Sequence, residues 1–403
     1  MYFSKIQYHL TFIFLTSLYS PVSHAIDNRN VIEPTTPSAC TTVYARNTVM
    51  TDDIQKALNN CSVGKAVKLS NNGSMNLFLS GPITMPNGVS LIIDKGTVLR
   101  AVNNANTFDN GSKNCGTLNG DGKGCKALIT FYHVSNGGIY GKGEIDGQGG
   151  QILNDKMLSW WDLAQQAKSG SQNQNAPRLI QVESSENIKL YQITLKNAPK
   201  FHAVFSRSSD ITVWNIKINT PANARNTDGL DFMSSNNVTV ASSNISTGDD
   251  NIAIKASGGN GSSTDMSFLN NIFGSGHGFS IGSETKDGVY NIYVNGLTMK
   301  GTDNGLRIKG DRSQSGEVSN IQYNNVNMSN VKNSIIMDTV YENKSGSTKA
   351  NWHDVIYNEI TVFGQSNIIF NGTNAIAPLK ATMTNMHLPD NIMWNIKNTN
   401  INK

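Results

Sequence analysis

Charge is scarce in this chain of 403 residues. Asp, Glu, Lys and Arg together make up 15%, against the usual quarter. Asn, Ser and Thr are abundant instead, and there are 36 glycines. Small polar and β-branched residues at low charge density argue against a mainly helical protein and for an all-β one with many turns. The excess of positive charge is also small, a formal +4. That is too little for a nucleic-acid footprint, so no nucleic-acid partner is expected, although it suits a polyanion.

Long apolar runs are missing beyond the first residues. Lys5 precedes an apolar stretch through Leu10, Phe12, Ile13, Phe14, Leu15 and Leu18, and Ser23-His24-Ala25 follows with small residues at the positions a signal peptidase reads. This predicts a cleaved leader over residues 1–25. The run is too short to span a bilayer comfortably, and no other segment could, so the expected product is secreted and free of the membrane. Residues 26–403 are expected to form one domain acting as a monomer. Cysteine is sparse too. Four remain, at 40, 61, 115 and 125, in a spacing that fits no usual zinc pattern. An even count in an exported chain predicts two disulfides. Three connectivities are open, and proximity in sequence favours Cys40–Cys61 and Cys115–Cys125.

What is present is a repeat. From an anchor residue, apolar side chains recur two, five and seven positions on: Ile188, Leu190, Ile193 and Leu195, then Ile211, Val213, Ile216 and Ile218. Val238 follows with Val240, a polar Ser243 and Ile245. Met266 fits less well, with Phe268 in place and Ile272 one position late. Ile292, Ile321 and Val355 begin regular copies, and the anchors are 23, 27, 28, 26, 29 and 34 residues apart. Residues two apart on a strand face the same way. The step of three from position two to position five reverses parity and demands a bend. Two short strands and a bend every two dozen or so residues describe one coil of a parallel β-helix, whose coils bury their apolar sides only by stacking. A β-propeller needs a longer period, and the leucine-rich consensus is absent. Asn187, Asn237, Asn291 and Asn320 sit just before anchors, where Asn tolerates left-handed backbone and can stack into amide ladders. Residues 51–58 predict a short amphipathic helix capped by Thr51, closing the open N-terminal end of the stack. Residues 151–177 predict a partly helical excursion, with Trp160 and Trp161 packed over the coils.

Four motifs fall in consecutive repeats: Asn226-Thr227-Asp228, Gly248-Asp249-Asp250, Gly276-His277-Gly278 and Arg307-Ile308-Lys309. Asp250, His277 and Arg307 lie 16, 15 and 14 residues before the next anchor, which predicts one face and neighbouring rungs about 4.8 Å apart. Asp228 lies only 10 before its anchor, so its alignment calls for a longer preceding turn. Carboxyls this close cannot all ionise freely, and at least one pKa must rise. One protonated and one ionised carboxyl is what glycoside hydrolysis needs. Asp249-Asp250 alone would also suit a turn or a calcium ion, but a cationic face in phase with it competes with a metal.

These motifs, in this order, resemble those of the polygalacturonase family of glycoside hydrolases, family 28, as does the stretch Gly276-His277-Gly278-Phe279-Ser280-Ile281-Gly282-Ser283. The resemblance implies a right-handed, single-stranded parallel β-helix of the pectin-lyase-like kind. It implies endo-polygalacturonase activity on the α-1,4 bonds of polygalacturonate with inversion, and no cofactor or metal. Asp249 would be the general acid, Asp228 and Asp250 the pair that activates water, and His277 the residue that supports the acid's protonation and binds sugar. Arg307 and Lys309 would clamp a galacturonate carboxylate, Tyr341 would bind substrate, and Asn226 would orient the cluster or the substrate. Exo action, rhamnogalacturonan hydrolysis and pectate lysis are the alternatives. With no added domain and modest loops, an open groove and endo cleavage are expected.

Overall fold

A computed structural model describes residues 27, 29–119, 122–373 and 379–402. The expected leader over residues 1–25 lies outside the described residues. Almost every strand pairs in parallel with the strand one coil earlier and one coil later, giving the parallel β-helix that the repeat predicts. One wall is an 11-stranded sheet running from Ile83–Thr84 to Met393–Lys397. Apart from the antiparallel pair Leu118–Asn119 and Asn173–Gln174, the other strands join a 21-stranded sheet that wraps the remaining two sides and merges in the 13-residue strands Glu317–Ser329 and Asn351–Phe363.

The anchors behave as their periodicity requires. Ile188, Ile211, Val238, Met266, Ile292 and Ile321 stack in register and are fully buried. Each such side chain contributes roughly 1.5–3 kcal/mol by leaving water. The parity-reversing bend falls four residues after the anchor, at Gln192, Asn215, Ser242, Asn270, Gly296 and Asn325, every one with φ between 49° and 72°. The residue before the anchor is left-handed as well. Asn187, Asn237, Asn291 and Asn320 take φ of 51–59°, and Asp210, Asp265 and Asp354 do the same. Their side chains form the expected ladders: Asn237 Nδ2 donates to Asp210 at 3.0 Å, Asn291 to Asp265 at 2.9 Å, and Asn320 to Asn291 at 2.8 Å.

Two local expectations are corrected. The coil begun by Met266 is regular: Phe273 fills position seven and is buried, whereas Ile272 is 45% exposed. Position five is Asn271, buried because its side chain bonds Ser243 N and Val240 O, both at 2.9 Å. A polar residue therefore occupies that corner in two successive coils, at Ser243 and Asn271. The N-terminal helix α1 spans Thr51–Asn59, and its N-cap is Met50, without a side-chain bond. Thr51 is already helical, and its hydroxyl instead accepts Gly81 N–H at 2.7 Å. Ile54 and Leu58 bury the inner face of α1 over the first coils as expected. Both disulfides, Cys40–Cys61 and Cys115–Cys125, are formed.

The excursion contains α2, Trp160–Ser169, opened by a capping box in which Ser159 and Asp162 bond each other's backbone. Trp160 is buried, and Trp161 covers Gly149 and Gly150 with its indole N–H on Ala198 O at 3.0 Å. Both pack against the solenoid, as predicted.

Candidate active site

Register along the 11-stranded wall positions the site. Ile180, Ala203, Leu230, Ile252, Phe279 and Leu306 are successive partners across neighbouring strands. Two residues before each, most of them ahead of the strand and beyond the bend that opens it, stand Arg178, Phe201, Asp228, Asp250, His277 and Asn304, which follow one another rung by rung in one column outside the core. Asp228 is thus in line with Asp250 and His277. Its short distance to the next anchor comes from the turn after its strand, not the turn before. Residues 234 and 235 suffice there, where the next coil uses residues 256–262. Arg307 belongs to a second column, opposite Ser280, Ala253 and Asp231, and it reaches the acids by side-chain length.

Two glycines let the motifs turn this tightly. A Cβ on Gly248 would lie 2.1 Å from Ala224 O. At Gly278, φ is +79° and a Cβ would lie 2.1 Å from Asn304 O.

Asp249 is held from three directions. Its Oδ1 accepts Asp250 N–H at 2.9 Å and faces His277 Nδ1 at 3.1 Å, while Asn226 N–H reaches Oδ2 at 3.3 Å. Asn226 meets Asp249 through its backbone N–H, from a left-handed turn with φ of 57°. Asp250 is buried. Its Oδ1 accepts from Ser280 Oγ at 2.9 Å and from the Arg307 guanidinium, and its Oδ2 accepts from Lys309 Nζ at 3.0 Å. Both cations expected as a substrate clamp are therefore engaged with Asp250. Arg307 also donates to Ser280 Oγ at 2.9 Å, and Lys309 Nζ lies 5.2 Å from the centre of the Tyr341 ring. Asp228, Asp249, Asp250, His277, Lys309, Tyr341 and Asn226 line one cavity of about 280 Å³.

The three carboxyls differ in their hold on a proton. Burial pushes Asp228 well above the usual carboxylate range, helped by Asp231 and Asp249, and its Oδ1 has no hydrogen-bond partner among the described residues. Burial also pushes Asp249 upward, but the His277 hydrogen bond, the His277 charge and Lys309 together outweigh it and hold Asp249 below its ordinary value. At Asp250 burial is overcome by Arg307 and Lys309, and the group stays ionised. His277 is raised by its bond to Asp249, and its Nε2 faces Asp303 at 3.6 Å. Of the three, Asp228 is thus the carboxyl whose surroundings favour a proton, while Asp249 and Asp250 are held toward the ionised form and His277, beside Asp249, holds its proton more firmly than a free imidazole. Burial pushes the Tyr341 hydroxyl up to about 12.

Several residues around the cluster carried no motif. His202, buried, accepts from Thr220 Oγ1 at 2.7 Å and donates from Nδ1 to Asp228 O at 2.9 Å. Burial drives its pKa down to about 4, so it braces the Asp228 backbone as a neutral ring. Asp231 is wholly buried behind Asp228, 4.0 Å from Lys255 Nζ, with neither oxygen hydrogen-bonded among the described residues. Burial lifts it to about 6, and its charge adds to the pressure on Asp228. Asp231 lies inside the strand Leu230–Met233, and its place three residues after Asp228, a coil before Asp249 and Asp250, was the one available signal for it.

Donor atoms of Asp249, Asp250 and His277 fall within 4.8 Å of one another, close enough for a metal ion. The lone pairs of Asp250 are already bound by two buried cations, which a dication would have to displace. The same closeness sets the Asp249–Asp250 approach below the roughly 6.5–9.5 Å usual between inverting carboxyls.

Residues 73–403 match the family profile described as Glycosyl hydrolases family 28. The chain is 52% identical over 389 residues to an endo-polygalacturonase of Pectobacterium parmentieri, covering 96% of each. It is 40% identical over 341 residues to a polygalacturonase of Ralstonia nicotianae, covering 75% of this chain and 64% of that one. Its fold superimposes on the polygalacturonase from Erwinia carotovora ssp. carotovora with a TM-score of 0.92 at 52% identity, over 94% of this chain and all of the other.

Proposed function

The chain belongs to the glycosyl hydrolases of family 28, and we propose that it cuts polygalacturonate within its length, with Asp249 as general acid and Asp250 as the carboxylate that activates water. It is a polygalacturonase by kinship with endo-acting relatives over nearly its full length. The columns that carry the acids continue past them through Phe201 and Arg178, so a polymer has a path beyond the cut bond, as endo action requires.

The single observation that carries the division of roles is the unequal treatment of two adjacent aspartates. Asp250 is locked ionised between Arg307 and Lys309. Asp249 is paired with an imidazolium that can return a proton to it. A galacturonate chain entering the groove excludes water and brings negative charge beside Asp249. Both effects raise that carboxyl and move the shared proton from His277 onto Asp249, ready for the leaving oxygen. Asp228, in line with Asp250, joins it in holding the water. Both oxygens of Asp250 are tied to buried cations, which disfavours attack on the sugar carbon and favours a water molecule as nucleophile, hence inversion. Arg307 and Lys309 orient Asp250 and, with Tyr341, face the carboxylate of the bound sugar.

We read the protein as secreted after removal of residues 1–25. Two disulfides suit an oxidising compartment. It acts as a monomer, since coils of one chain build the whole groove.

The test is the product profile on polygalacturonate. Viscosity should collapse while few reducing ends appear, a chelator should not slow the reaction, and the first product seen by NMR should have the inverted anomeric configuration. Asp249→Asn should lower kcat by roughly two to four orders of magnitude. A product absorbing in the ultraviolet, as a lyase leaves, would overturn the assignment.

A further inference from the structure

Beyond Asp228, the columns of the catalytic wall run on into a second cavity of about 330 Å³, lined by Arg178, Gln181, Lys200, Lys126 and Thr130. It is the straight continuation of the groove. Arg178 stands in the column of Asp228 and Asp250, and Gln181 and Thr130 stand in the column of Asp231 and Arg307. Phe201 lies between the two cavities. Arg178, Lys200 and Lys255 surround its ring at 5.8, 5.3 and 5.7 Å from the centroid.

The cations at the two ends of the groove differ in their partners. Arg307 and Lys309 hold Asp250, Lys255 faces Asp231, and Lys344 pairs with Glu342 at 3.0 Å. Among the described residues, neither Arg178 nor Lys200 has a carboxylate within ion-pair distance. The side-chain hydrogen bond that Arg178 makes there goes to the amide oxygen of Gln181. Burial and the nearby Arg178 charge push Lys200 down to about 8. Asp231, Glu183 and Asp228 lie near enough to favour the Arg178 charge, but among the described residues neither cation makes a direct ion pair, and an incoming anion supplies one to both.

We propose that Arg178 and Lys200 form a carboxylate subsite for a galacturonate unit two or three sugars away from the cut bond, on the side of the N-terminal coils. Arg178 is two rungs from Asp228 and three from Asp250, about 10 and 14 Å at 4.8 Å per rung. One 1,4-linked pyranose advances its chain by nearly the height of one rung, so successive carboxylates of the polymer meet successive coils. The planar fork of Arg178 suits a carboxylate, and Lys200 supplies a second charge across the Phe201 ring. The inference rests on the polygalacturonate reading and adds which residues set preference for chain length.

The test uses the full-length protein, pure oligogalacturonates of three to seven units and reducing-end label to locate each cut. For the unaltered protein, kcat/KM should climb once an oligomer is long enough to reach Arg178. Arg178→Gln and Lys200→Gln should each cut the heptamer-to-trimer ratio of kcat/KM by roughly tenfold and shift cleavage to other bonds, and Lys200→Arg should restore both. Should Arg178→Gln fail to fold, the two Lys200 variants decide. Length dependence and cut positions identical to the parent in the glutamine variants would overturn the subsite. Loss that Lys200→Arg does not restore would also overturn it, by assigning the effect to packing. Failure of the unaltered protein to cleave any oligomer would instead refute the polygalacturonate reading itself.

Discussion

Lys309 and Asp250 come from coils two rungs apart and meet at 3.0 Å, Nζ to Oδ2. Lys309→Met should leave the buried carboxylate with one cation instead of two. Stability should fall by about 2 kcal/mol, the usual loss for a charged hydrogen bond, read from the urea midpoint. The Asp250 carboxyl then titrates higher, so the acid limb of kcat/KM should move to higher pH. An unmoved acid limb would show that Asp250 is not the ionised group the reaction needs.

The pairing of His277 with Asp249 sets the alkaline side. The labile proton belongs to this pair, and it is lost as pH rises through the raised His277 value, above the ordinary imidazole pKa of about 6.5. Activity should decline there. In His277→Asn the proton must stay on Asp249 alone, and a carboxyl releases it at lower pH than a raised imidazole, so the alkaline limb should shift toward acid. The same imidazole links to stability. Its contribution is fully present below the unfolded pKa and disappears as pH rises through the folded one. Melting temperature against pH, parent against variant, checks this.

Asp228 has the opposite sign from Asp250. Unfolded, it ionises near its ordinary value. Folded, burial makes it hold its proton to higher pH. Between the two values the folded state binds more protons, so stability falls as pH rises through that window. Asp228→Asn removes the penalty. It should melt higher than the parent at pH 7 and lose that advantage as the pH is lowered toward the unfolded value, while kcat drops. A melting-temperature difference independent of pH would show that Asp228 is ionised in the folded protein.

Cys40–Cys61 ties the first strand, Ala39–Tyr44, to the end of α1. Replacing both cysteines by serine should cost about 3 kcal/mol through the freed 21-residue loop. Amide exchange should rise first in residues 39–59, because that cap detaches before the solenoid opens. Uniform exchange along the chain would contradict a separable cap.

The coils were legible because burial inside a stack imposes strict periodicity, and Ile188, Ile211 and Val238 obey it. Asn187 and Asn237 revealed the left-handed bends, but Asp210 and Asp265 perform the same task, and an acid at that place carries no mark of it in the sequence. Met266 read as irregular because Asn271 is a buried amide satisfied by backbone, which no hydrophobic pattern marks. The acids and basic motif were visible as a set through their spacing. That Arg307 and Lys309 would close on Asp250 was not, since side-chain reach across rungs has no signature along the chain. His202, Asp231 and Lys255 were missed for a related reason: a polar residue on a strand looks solvent-facing until neighbouring coils are laid beside it.

Two residues close the turn after the Asp228 strand, and seven close the turn after the next one, yet both strands keep the same register. Ladder pairing fixes the floor of the cleft independently of what hangs from its rim. Insertions or deletions at the rim can therefore widen, narrow or roof the cleft and retune which polymers enter, while the reacting groups beneath stay where they are.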